Sequence, residues 1–380
     1  MKVLFVPRGF PSEKDPMNGN YEAVQAEAIA AKGHEVSVIA VRWRSMIHLF
    51  ECGKLKYRKV GNVLVCECNG IRMYPFRIPK MDKHIMRWQF KKFFQKYVSD
   101  KGMPDIVHAH IISNAAYAVV LKENYHLPFV ITEHWSKMFA ERISKVTMRD
   151  TFAYKKADRV ICVSEALAEN LKKQCGIQSV VIHNMVSNEF FKSRKIGRHD
   201  KLFRFIAVGA LRDIKRFDLL VEAFAFCHFP ENVKLDIVGE GIERPLIDSK
   251  IKQYGLENQV SLLGLKTPEE VSNLLCQSDC FVLSSRLETF SIVVIEAMAK
   301  GLPVIATRCG GPETFLRPED GILVPKENAK ELANAMKIMT QHNQDYDAEA
   351  IRQYCYDNFS QDVIADKIID IYKQVLQNNN

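Results

Sequence analysis

The chain has 380 residues and a formal net charge of +8, with 47% hydrophobic and 26% charged residues. This length favours two domains, and the composition is that of an ordinary soluble globular protein. The first apolar run, residues 3–6, is too short for a signal peptide, and no run approaches the roughly 20 residues of a membrane span. Ten cysteines lack metal-ligand spacing. We therefore expect a cytoplasmic protein with reduced thiols.

The positive charge is concentrated in the first half of the chain. Residues 1–190 carry 29 Lys and Arg against 18 Asp and Glu, whereas the remainder carries 24 against 27. Such an asymmetry predicts an anionic partner for the first half: nucleic acid, a membrane surface or a phosphorylated substrate.

Short runs rich in Val and Ile alternate with segments of helical periodicity along the whole chain. This alternation predicts parallel sheets with helices on both faces. The predicted strands are residues 2–6, 35–40, 105–110, 129–132, 159–163, 180–184, 203–209, 233–239, 260–264, 280–285, 303–307 and 322–325. The helical segments between them include 19–32, 113–125, 164–174, 216–228, 267–277 and 328–339.

The alternation is interrupted once, at residues 187–201, which are polar, basic and without periodicity. We interpret this segment as a linker between two doubly wound, Rossmann-like domains, residues 1–186 and 202–358. The predicted fold class is α/β, with the two domains facing a cleft. The last segment, 359–380, contains a helix with no strand after it. The sequence leaves open whether that helix packs on the second domain or crosses back to the first.

A basic amphipathic helix is predicted at residues 80–101, which carry seven Lys or Arg against two Asp. One apolar stripe contains Met86, Phe90, Phe93, Phe94 and Tyr97, and basic residues lie off it: Lys83, Arg87, Lys91 and Lys96. We expect the stripe to be mainly core, while the basic face attracts an anionic membrane or acceptor. Nucleic acid is the alternative partner, but the chain has no recognition motif for it.

Two glutamates stand out in the largely apolar residues 284–307. The strands predicted on either side are parallel neighbours, so residues 290–300 should form the crossover helix, which Gly301 and Pro303 end. Glu288 then lies in the loop at the carboxyl end of a strand, and Glu296 lies two turns into the helix. Ligands of open α/β sheets bind at that edge.

The predicted start of this helix suits an anion. Thr289 can cap it, and free amides with the positive end of the helix dipole suit a phosphate. The amides are those of Phe290, Ser291 and Ile292. A buried carboxylate at Glu296 would be stabilised by two hydroxyls of a ribose, and Glu288 would hold hydroxyls of a second sugar. Together these groups predict a nucleotide-sugar site. The alternative is that Glu296 pairs with a core Lys or Arg and Glu288 only caps a loop.

Two cations support the nucleotide-sugar interpretation. Arg212 and Lys215 lie in the loop that follows the strand at 203–209, at the same sheet edge. Cations at a helix start oppose the helix dipole unless an anion lies between them. Aimed at a diphosphate, they would stabilise the charge that develops as it leaves, which is electrostatic catalysis.

The second half resembles the family 4 retaining glycosyltransferases of the GT-B fold. The resemblance rests on the E-x7-E pair Glu288 and Glu296, EAMAKGLPVIAT (296–307), Gly310-Gly311 with Pro312-Glu313, DGILVP (320–325), VGALRDIKRFDLLVEAF (208–224) and IVGEGIERPLI (237–247). The first half resembles the family through residues 7–36, PDIVHAH (104–110), ITEHW (131–135) and VSEAL (163–167). The similarity extends essentially from end to end.

The resemblance implies a role for each matching position. Glu296 would hold the ribose, Glu288 the donor hexose, and Lys215 the diphosphate, with amides at 290–292 contacting phosphate and sugar. Gly209 in the diphosphate loop, with Gly19 and Asn20 closing over the phosphates, would complete the donor site. His134 matches the family's catalytic histidine and would hydrogen-bond a donor hydroxyl or the acceptor, and His110 lies beside it as a further donor-binding position.

Two positions depart from the family pattern. Ala210 stands where the family commonly has Arg, and Arg212 is the candidate to replace the missing cation. Ser291 stands where the family usually has Gly, which keeps the amide but adds bulk near the sugar.

Two short motifs suggest other chemistry but fit it poorly. Asp345-Tyr346-Asp347 spells the metal-holding D-x-D pattern, but it lies between late helices, where we expect a helix-capping loop. Gly239-Glu240-Gly241 lacks the third glycine of a dinucleotide fingerprint. We therefore expect neither a metal nor another cofactor.

The sequence thus predicts a retaining, metal-independent hexosyltransferase, cytoplasmic or peripheral on the inner face of a membrane. Its donor would be a nucleotide sugar, most plausibly UDP-linked, and its acceptor a lipid-linked or polysaccharide glycan of a bacterial surface. The alternatives are a nucleotide-sugar epimerase of the same fold, and an inactive partner subunit that only binds nucleotide sugar.

Overall fold

The computed structural model describes residues 1–12, 15, 18–45, 53–72, 79–134, 151–192 and 202–379, with only the backbone of 79–82. The chain forms two compact units. The first contains residues 1–183 and 361–380, and the second contains residues 184–360. The α/β fold class predicted from the alternation of strands and helices is confirmed.

The first unit is built on an eight-stranded sheet of order β3-β4-β2-β1-β5-β6-β7-β8. Its strands are β1 Lys2–Val6, β2 Glu35–Ser45, β3 Leu55–Val60, β4 Val63–Arg72, β5 Ile106–His110, β6 Phe129–Glu133, β7 Arg159–Cys162 and β8 Val180–Val181. Neighbouring strands are parallel except for the antiparallel pair β3 and β4. The order of the strands reverses between β1 and β5, which opens a crevice at their carboxyl ends.

The β3–β4 hairpin was absent from the prediction, which contains only parallel strands. β3 is a half-exposed edge strand with the sequence LKYRKV, so it lacks the apolar run by which the predicted strands were identified. The signal that could have found it is the two-residue connection Gly61-Asn62, where Gly61 has φ 52°. Such positive-φ dipeptides are typical of tight hairpin turns.

Six helices of the described residues belong to the first unit. They are α1 Asn20–Ala31, α2 Pro79–Lys101, α3 Ile112–Tyr125, α4 Phe152–Lys156, α5 Glu165–Cys175 and the C-terminal helix Gln361–Asn379, here α12. The predicted stripe of α2 is buried, with Met86 and the four aromatic residues at most 8% exposed. Its core role is therefore confirmed. The basic residues of α2 whose side chains are described, from Lys83 to Lys101, are half-exposed or exposed.

The C-terminal helix α12 is an integral part of the first unit. The Tyr372 hydroxyl lies 2.6 Å from Nδ1 of the buried His108, and Lys32 forms ion pairs with Asp362 and Asp366. The side chain of Gln361 donates to the Val24 carbonyl. The chain thus returns to the first unit after completing the second.

The second unit is a six-stranded, fully parallel sheet of order β11-β10-β9-β12-β13-β14. Its strands are β9 Phe203–Val208, β10 Val233–Val238, β11 Val260–Gly264, β12 Cys280–Leu283, β13 Val304–Thr307 and β14 Gly321–Val324. The helices are α6 Phe217–Cys227, α7 Arg244–Gln253, α8 Pro268–Cys276, α9 Ile292–Met298, α10 Ala329–His342 and α11 Ala348–Phe359. The order reverses between β9 and β12, so a ligand crevice is expected where these two strands end.

The segment predicted as a linker begins with structure. Asn188–Phe191 form a 3₁₀ turn, and the Val186 amide donates to the Phe359 carbonyl of the same unit at 2.8 Å. Residues 193–201 lie outside the described residues.

The D-x-D sequence is a helix-capping loop, as predicted. The Asp347 side chain accepts hydrogen bonds from the amides of Glu349 and Ala350 at the start of α11, and Asp345 accepts from His342. Within the described ranges, no group of His, Cys, Asp and Glu side chains is arranged to hold a metal ion. None of the described helices is long and apolar enough to cross a membrane.

Candidate active site

The loop after β9 is fixed by the loop after β10. Gly209 donates to the Val238 carbonyl and Leu211 to the Glu240 carbonyl, both at 2.9 Å. Gly239 has φ 141°, and a Cβ there would lie 1.9 Å from the Gly209 carbonyl oxygen. The G-x-G sequence at 239–241 therefore serves close backbone packing. It holds the loop that carries Arg212 and Lys215.

The loop after β12 is tied to the same segment. The Ser284 hydroxyl donates to the Lys215 carbonyl at 2.9 Å, and the Arg286 amide donates to the Ile214 carbonyl at 2.8 Å. Since β9 and β12 are the neighbours at which the strand order reverses, these loops lie at the expected crevice.

Lys215 and Glu288 are brought into direct contact there. Lys215 Nζ lies 2.6 Å from Glu288 Oε1, and the Ser285 hydroxyl donates to the same oxygen at 2.7 Å. The Lys215 side chain is 24% exposed and that of Glu288 11%. Gly209 lies against the aliphatic part of Lys215, since a Cβ there would be 3.8 Å from Cδ. The pair presents a cation and a carboxylate side by side to a ligand.

Arg212 is exposed and forms no ion pair with any described residue. Neighbouring arginines are already neutralised: Arg216 pairs with Asp218 and Glu327, and Arg286 pairs with Asp213 and Glu327. Arg212 therefore keeps its charge available for an anionic ligand.

A third loop, after β13, supports Glu288 from the other side. Glu288 forms a backbone bridge with Gly310, and its amide donates to the Cys309 carbonyl at 2.9 Å. Glu313 accepts from the amides of Cys309 and Gly310 at 3.0 and 2.8 Å. A Cβ on Gly311 would lie 2.4 Å from the Phe290 carbonyl oxygen. The Gly-Gly-Pro-Glu sequence thus shapes a backbone platform for residues 288–290.

The predicted start of the next helix is wrong by two residues. Helix α9 begins at Ile292 and ends at Met298, whereas residues 290–300 were expected to be helical. Ser291, and not the predicted Thr289, occupies the N-cap position, and the Ser291 side chain makes no capping hydrogen bond. Pairing of Glu288 with Gly310 keeps this stretch non-helical, and Phe290 is buried against Phe315 and Phe359 instead.

Ser291 adopts a backbone conformation that favours glycine. Its φ is 82° and ψ 80°, in the left-handed region that side chains disfavour. Its hydroxyl oxygen is buried and has no hydrogen-bond partner in the described part of the chain. Ser291, which stands where the family usually has Gly, therefore occupies a position whose backbone conformation favours glycine.

Glu296 lies on α9 with a desolvated carboxyl group. The residue keeps some exposed surface, but burial of the carboxyl raises its pKa to about 8. No described Lys or Arg forms an ion pair with it. The described residues therefore do not show the alternative, in which a core Lys or Arg pairs with Glu296. The carboxyl is thus a polar group at the expected ligand edge, with no partner in the described part of the chain.

In the first unit, Gly19 and Asn20 begin α1 at the carboxyl end of β1. Gly19 has φ 72°, and a Cβ there would lie 2.1 Å from the Gly9 carbonyl oxygen. Only glycine fits so close to a carbonyl. The two residues lie at the crevice where the order of this sheet reverses.

The two predicted histidines are neighbours at the ends of β5 and β6. His110 is 2% exposed and its ring stacks on Phe5 and His108 with centroids 5.3 and 4.5 Å away. Burial, with His108 beside it, holds the pKa of His110 well below its usual range. The ring of His134 meets that of His110 edge-on at 5.9 Å.

A functional candidate that the sequence analysis missed is Glu22, in the first turn of α1. It is 1% exposed, and neither carboxylate oxygen has a hydrogen-bond partner in the described part of the chain. Oε1 lies 4.0 Å from Nε2 of His134. Helical spacing in the sequence could have predicted its burial, because Glu22 shares one face of α1 with the buried Ala26 and Ile29.

Two Rossmann-like units, each with polar groups at the carboxyl edge of a parallel sheet, define an α/β protein of the GT-B class. The model of the family described as "Glycosyltransferase Family 4" matches residues 22–190, and that described as "Glycosyl transferases group 1" matches residues 188–357. The chain therefore belongs to the family 4 glycosyltransferases.

Relatives and solved structures agree with this assignment. An uncharacterized glycosyltransferase of Methanocaldococcus jannaschii is 24% identical over 382 residues, covering 93% of each chain. N-acetyl-alpha-D-glucosaminyl L-malate synthase of Bacillus anthracis is 28% identical over 68% of this chain and 76% of its own. Sucrose-phosphate synthase from Thermosynechococcus elongatus shares the fold with a TM-score of 0.78, 20% identity and full coverage of both chains. HepE of Anabaena, solved with UDP, has a TM-score of 0.76, 19% identity and coverage of 98% of this chain and all of its own.

Proposed function

We propose that this glycosyltransferase moves a hexose from a UDP-linked donor to a lipid-linked or polysaccharide acceptor in bacterial surface-glycan synthesis, with retention of anomeric configuration. The observation that carries the proposal is the composition of the β9–β12 edge. It combines the Lys215–Glu288 pair, the unpaired Arg212 and, on the following helix, a desolvated carboxyl at Glu296.

Glu296 is the group best suited to the ribose. A desolvated carboxyl without a protein partner is stabilised by hydrogen bonds from a ligand, and neighbouring ribose hydroxyls can donate two of them. Structures of the neighbour HepE contain UDP and UDP-glucose, which supports a uridine nucleotide as the donor.

Lys215 and Arg212 are the groups best suited to the diphosphate. As the bond to the sugar breaks, negative charge grows on the leaving phosphate, and fixed cations stabilise it. Glu288 holds Lys215 in place through its contact at 2.6 Å and leaves its second carboxylate oxygen for hydroxyls of the hexose. With cations in this role the reaction would need no metal ion.

The chemical step follows from this arrangement. The acceptor hydroxyl attacks the anomeric carbon on the face from which the diphosphate departs. Attack on that face retains the anomeric configuration without a protein nucleophile. The proton of the acceptor hydroxyl passes to the leaving phosphate oxygen. The protein contributes orientation and charge stabilisation.

The first unit is the candidate for acceptor and membrane contacts. The exposed and half-exposed basic residues of α2 would attract anionic lipid headgroups or a diphosphate-linked acceptor. Flotation with phosphatidylglycerol vesicles, compared with phosphatidylcholine vesicles, tests the membrane contact. Equal binding to both would remove it.

The test of the function is a thermal-shift screen of UDP-, GDP- and ADP-sugars, followed by proton NMR of the product formed from the best donor. We expect stabilisation by a UDP-sugar, transfer in the presence of EDTA, and a product with the anomeric configuration of the donor. Donor incubated alone should be hydrolysed slowly. Conversion of the donor to an epimeric UDP-sugar would replace the transferase assignment by the epimerase one.

A further inference from the structure

A buried carboxylate that has no hydrogen-bond partner among the described residues lies in the first unit, outside the proposed donor edge of the second. Glu22 is 1% exposed, and neither of its oxygens accepts a hydrogen bond within the described residues. An unpaired buried charge is strongly unfavourable. By contrast, the buried Glu133 nearby accepts bonds from the Tyr154 hydroxyl and from the amides of Ile112 and His134. Internal pairing therefore explains Glu133 and does not explain Glu22.

A second unsatisfied polar group lies close to Glu22. Nε2 of His134 is buried without a hydrogen-bond partner among the described residues and lies 4.0 Å from Glu22 Oε1, which is too long for a direct hydrogen bond. The neighbouring His110 leaves its own Nε2 unpartnered as well. Three unsatisfied polar side chains thus lie together where β1, β5 and β6 end.

The separation of 4.0 Å fits one oxygen atom bound by both groups. For an oxygen about 2.8 Å from both Glu22 Oε1 and His134 Nε2, the angle between the two atoms at that oxygen would be about 90°, which is within the range of hydroxyl hydrogen bonds. A hydroxyl has one donor and acceptor lone pairs. It can donate to the carboxylate and accept from the imidazole N–H, which satisfies both groups together.

We propose that Glu22 is a further substrate-binding residue that acts beside His134, the histidine expected from the family. Glu22 accepts a hydrogen bond from a hydroxyl of a sugar substrate, and the same hydroxyl accepts one from His134. The proposal rests on the proposed glycosyltransferase function. The hydroxyl belongs either to the donor hexose or to the acceptor saccharide, and the experiment separates these two sources.

The informative variant is Glu22→Gln, which keeps the shape of the side chain and removes its charge. Because no described residue donates a hydrogen bond to the Glu22 carboxylate, loss of its charge should leave the melting temperature of the ligand-free protein equal or higher. If the Glu22 carboxylate binds a substrate hydroxyl, the same change should weaken the protein's affinity for that substrate by about tenfold or more. Glu27→Gln, on the same helix and half-buried, is the matched control and should alter neither property.

Two binding measurements identify the source of the hydroxyl. Calorimetry compares UDP with the UDP-sugar that stabilises the wild type most among UDP-glucose, UDP-galactose and UDP-N-acetylglucosamine. If the hydroxyl is on the donor, Glu22→Gln weakens UDP-sugar binding and leaves UDP binding unchanged. If it is on the acceptor, both affinities are unchanged, and the KM for octyl glycosides of the same three sugars rises.

A double-mutant cycle with His134→Gln tests whether the two groups share one hydroxyl. If two residues bind the same hydroxyl, the double substitution costs less binding free energy than the sum of the two single substitutions, whereas independent effects add. We expect the double variant to bind only slightly more weakly than either single variant.

Unchanged UDP-sugar affinity together with unchanged octyl-glycoside KM in Glu22→Gln would overturn the proposal, since a water molecule would then satisfy the pair. A fall in melting temperature beyond that of Glu27→Gln would also overturn it, because the carboxylate would then serve the fold. If the wild type itself neither binds a UDP-sugar nor transfers its hexose, the failure lies with the proposed function.

Discussion

The protonation state of Glu296 changes in the neutral pH range. Its carboxyl pKa of about 8 in the folded protein lies above the ordinary value of 4.5, because burial disfavours the charged form. The native state therefore holds a proton that the unfolded chain releases. The stability that this proton contributes is fully present below the unfolded pKa and is lost as the pH rises through about 8.

We expect Glu296→Gln to remove that pH dependence. Between about pH 5 and about pH 8 the wild type should lose up to a few kcal/mol of unfolding free energy relative to the variant, measured by urea denaturation at each pH. UDP-sugar affinity should rise with pH toward 8 in the wild type, because the carboxylate is the better acceptor, and stay low and flat in the variant. If UDP-sugar affinity had the same pH dependence in the two proteins, Glu296 would be excluded from the site.

Lys215 is held by Glu288 before any ligand binds. The contact at 2.6 Å, with Ser285 donating to the same carboxylate oxygen, fixes the ammonium at the edge where β9 and β12 end. A cation fixed in this way needs no reorganisation when charge develops on a leaving group, which is the condition for electrostatic catalysis.

Lys215→Ala should reduce kcat by about 10²–10³ while changing donor affinity less, because the cation interacts most strongly with the leaving diphosphate. Steady-state kinetics with varied UDP-sugar separates the two effects. Lys234→Ala is the control, since that half-buried lysine hydrogen-bonds only the Asn258 carbonyl among the described residues and should behave as wild type in kcat and donor affinity. Equal losses in kcat and affinity would show that Lys215 only binds the donor.

At the scale of elements, the donor edge is built from three interlocked loops. The loop after β9 is bonded to the loop after β12 through Lys215 and Ile214, and residues 288–290 rest on the loop after β13. Close backbone approach at Gly239 and Gly311 makes this possible. The glycines of these motifs therefore help to position Glu288.

Helix α9 shows where local sequence signals were insufficient. The spacing between two buried strands predicted a crossover helix, and a helix is present. Its first residue depends on a backbone pairing between Glu288 and Gly310, which are 22 positions apart. Thr289 is a good capping residue by type, but this long-range pairing keeps it outside the helix.

Ser291→Gly should stabilise the start of α9. The left-handed backbone and the unpartnered hydroxyl both favour glycine, and the gain should reach up to about 1 kcal/mol after the greater backbone entropy of glycine is included. UDP-sugar affinity should be kept, because the amide is unchanged. Ser272→Gly inside α8 is the control and should lose about 1 kcal/mol. Thermal denaturation checks both, and a less stable Ser291→Gly would contradict the strain argument.

At the scale of the whole molecule, the two units differ in how the chain builds them. The second is a continuous segment, residues 184–360, whereas the first needs residues from both ends of the chain. Helix α12 contributes the buried Ile364, Ile368 and Tyr372 to the first unit. The hydroxyl of Tyr372 also satisfies Nδ1 of the fully buried His108, whose pKa burial lowers to about 3.

The fragment 184–360 should therefore fold alone and bind UDP, whereas the fragment 1–183 should not fold cooperatively without α12. Circular dichroism melting checks folding, and calorimetry checks UDP binding. Glu296→Ala in the fragment 184–360 is the control, which should fold but bind UDP more weakly by about 1–3 kcal/mol. An unfolded fragment 184–360 would mean that the second unit depends on the first.

The sequence by itself determined the class of fold and the placement of Lys215, Glu288 and Glu296 at one sheet edge. Strand and helix periodicities are local, and parallel topology then places the ends of neighbouring strands together. It did not reveal the half-exposed β3 strand, which lacks an apolar run. It also did not single out Glu22, which is a candidate only because its carboxylate accepts no hydrogen bond from the described residues.

Only the tertiary structure decided which polar groups are satisfied. Glu133 and Glu22 are both buried carboxylates of the first unit, yet one accepts three hydrogen bonds and the other none within the described residues. Whether a buried carboxylate has a partner depends on atoms brought together from distant parts of the chain. Sequence patterns specify which residues are buried, whereas the three-dimensional arrangement specifies what each buried group can still bind.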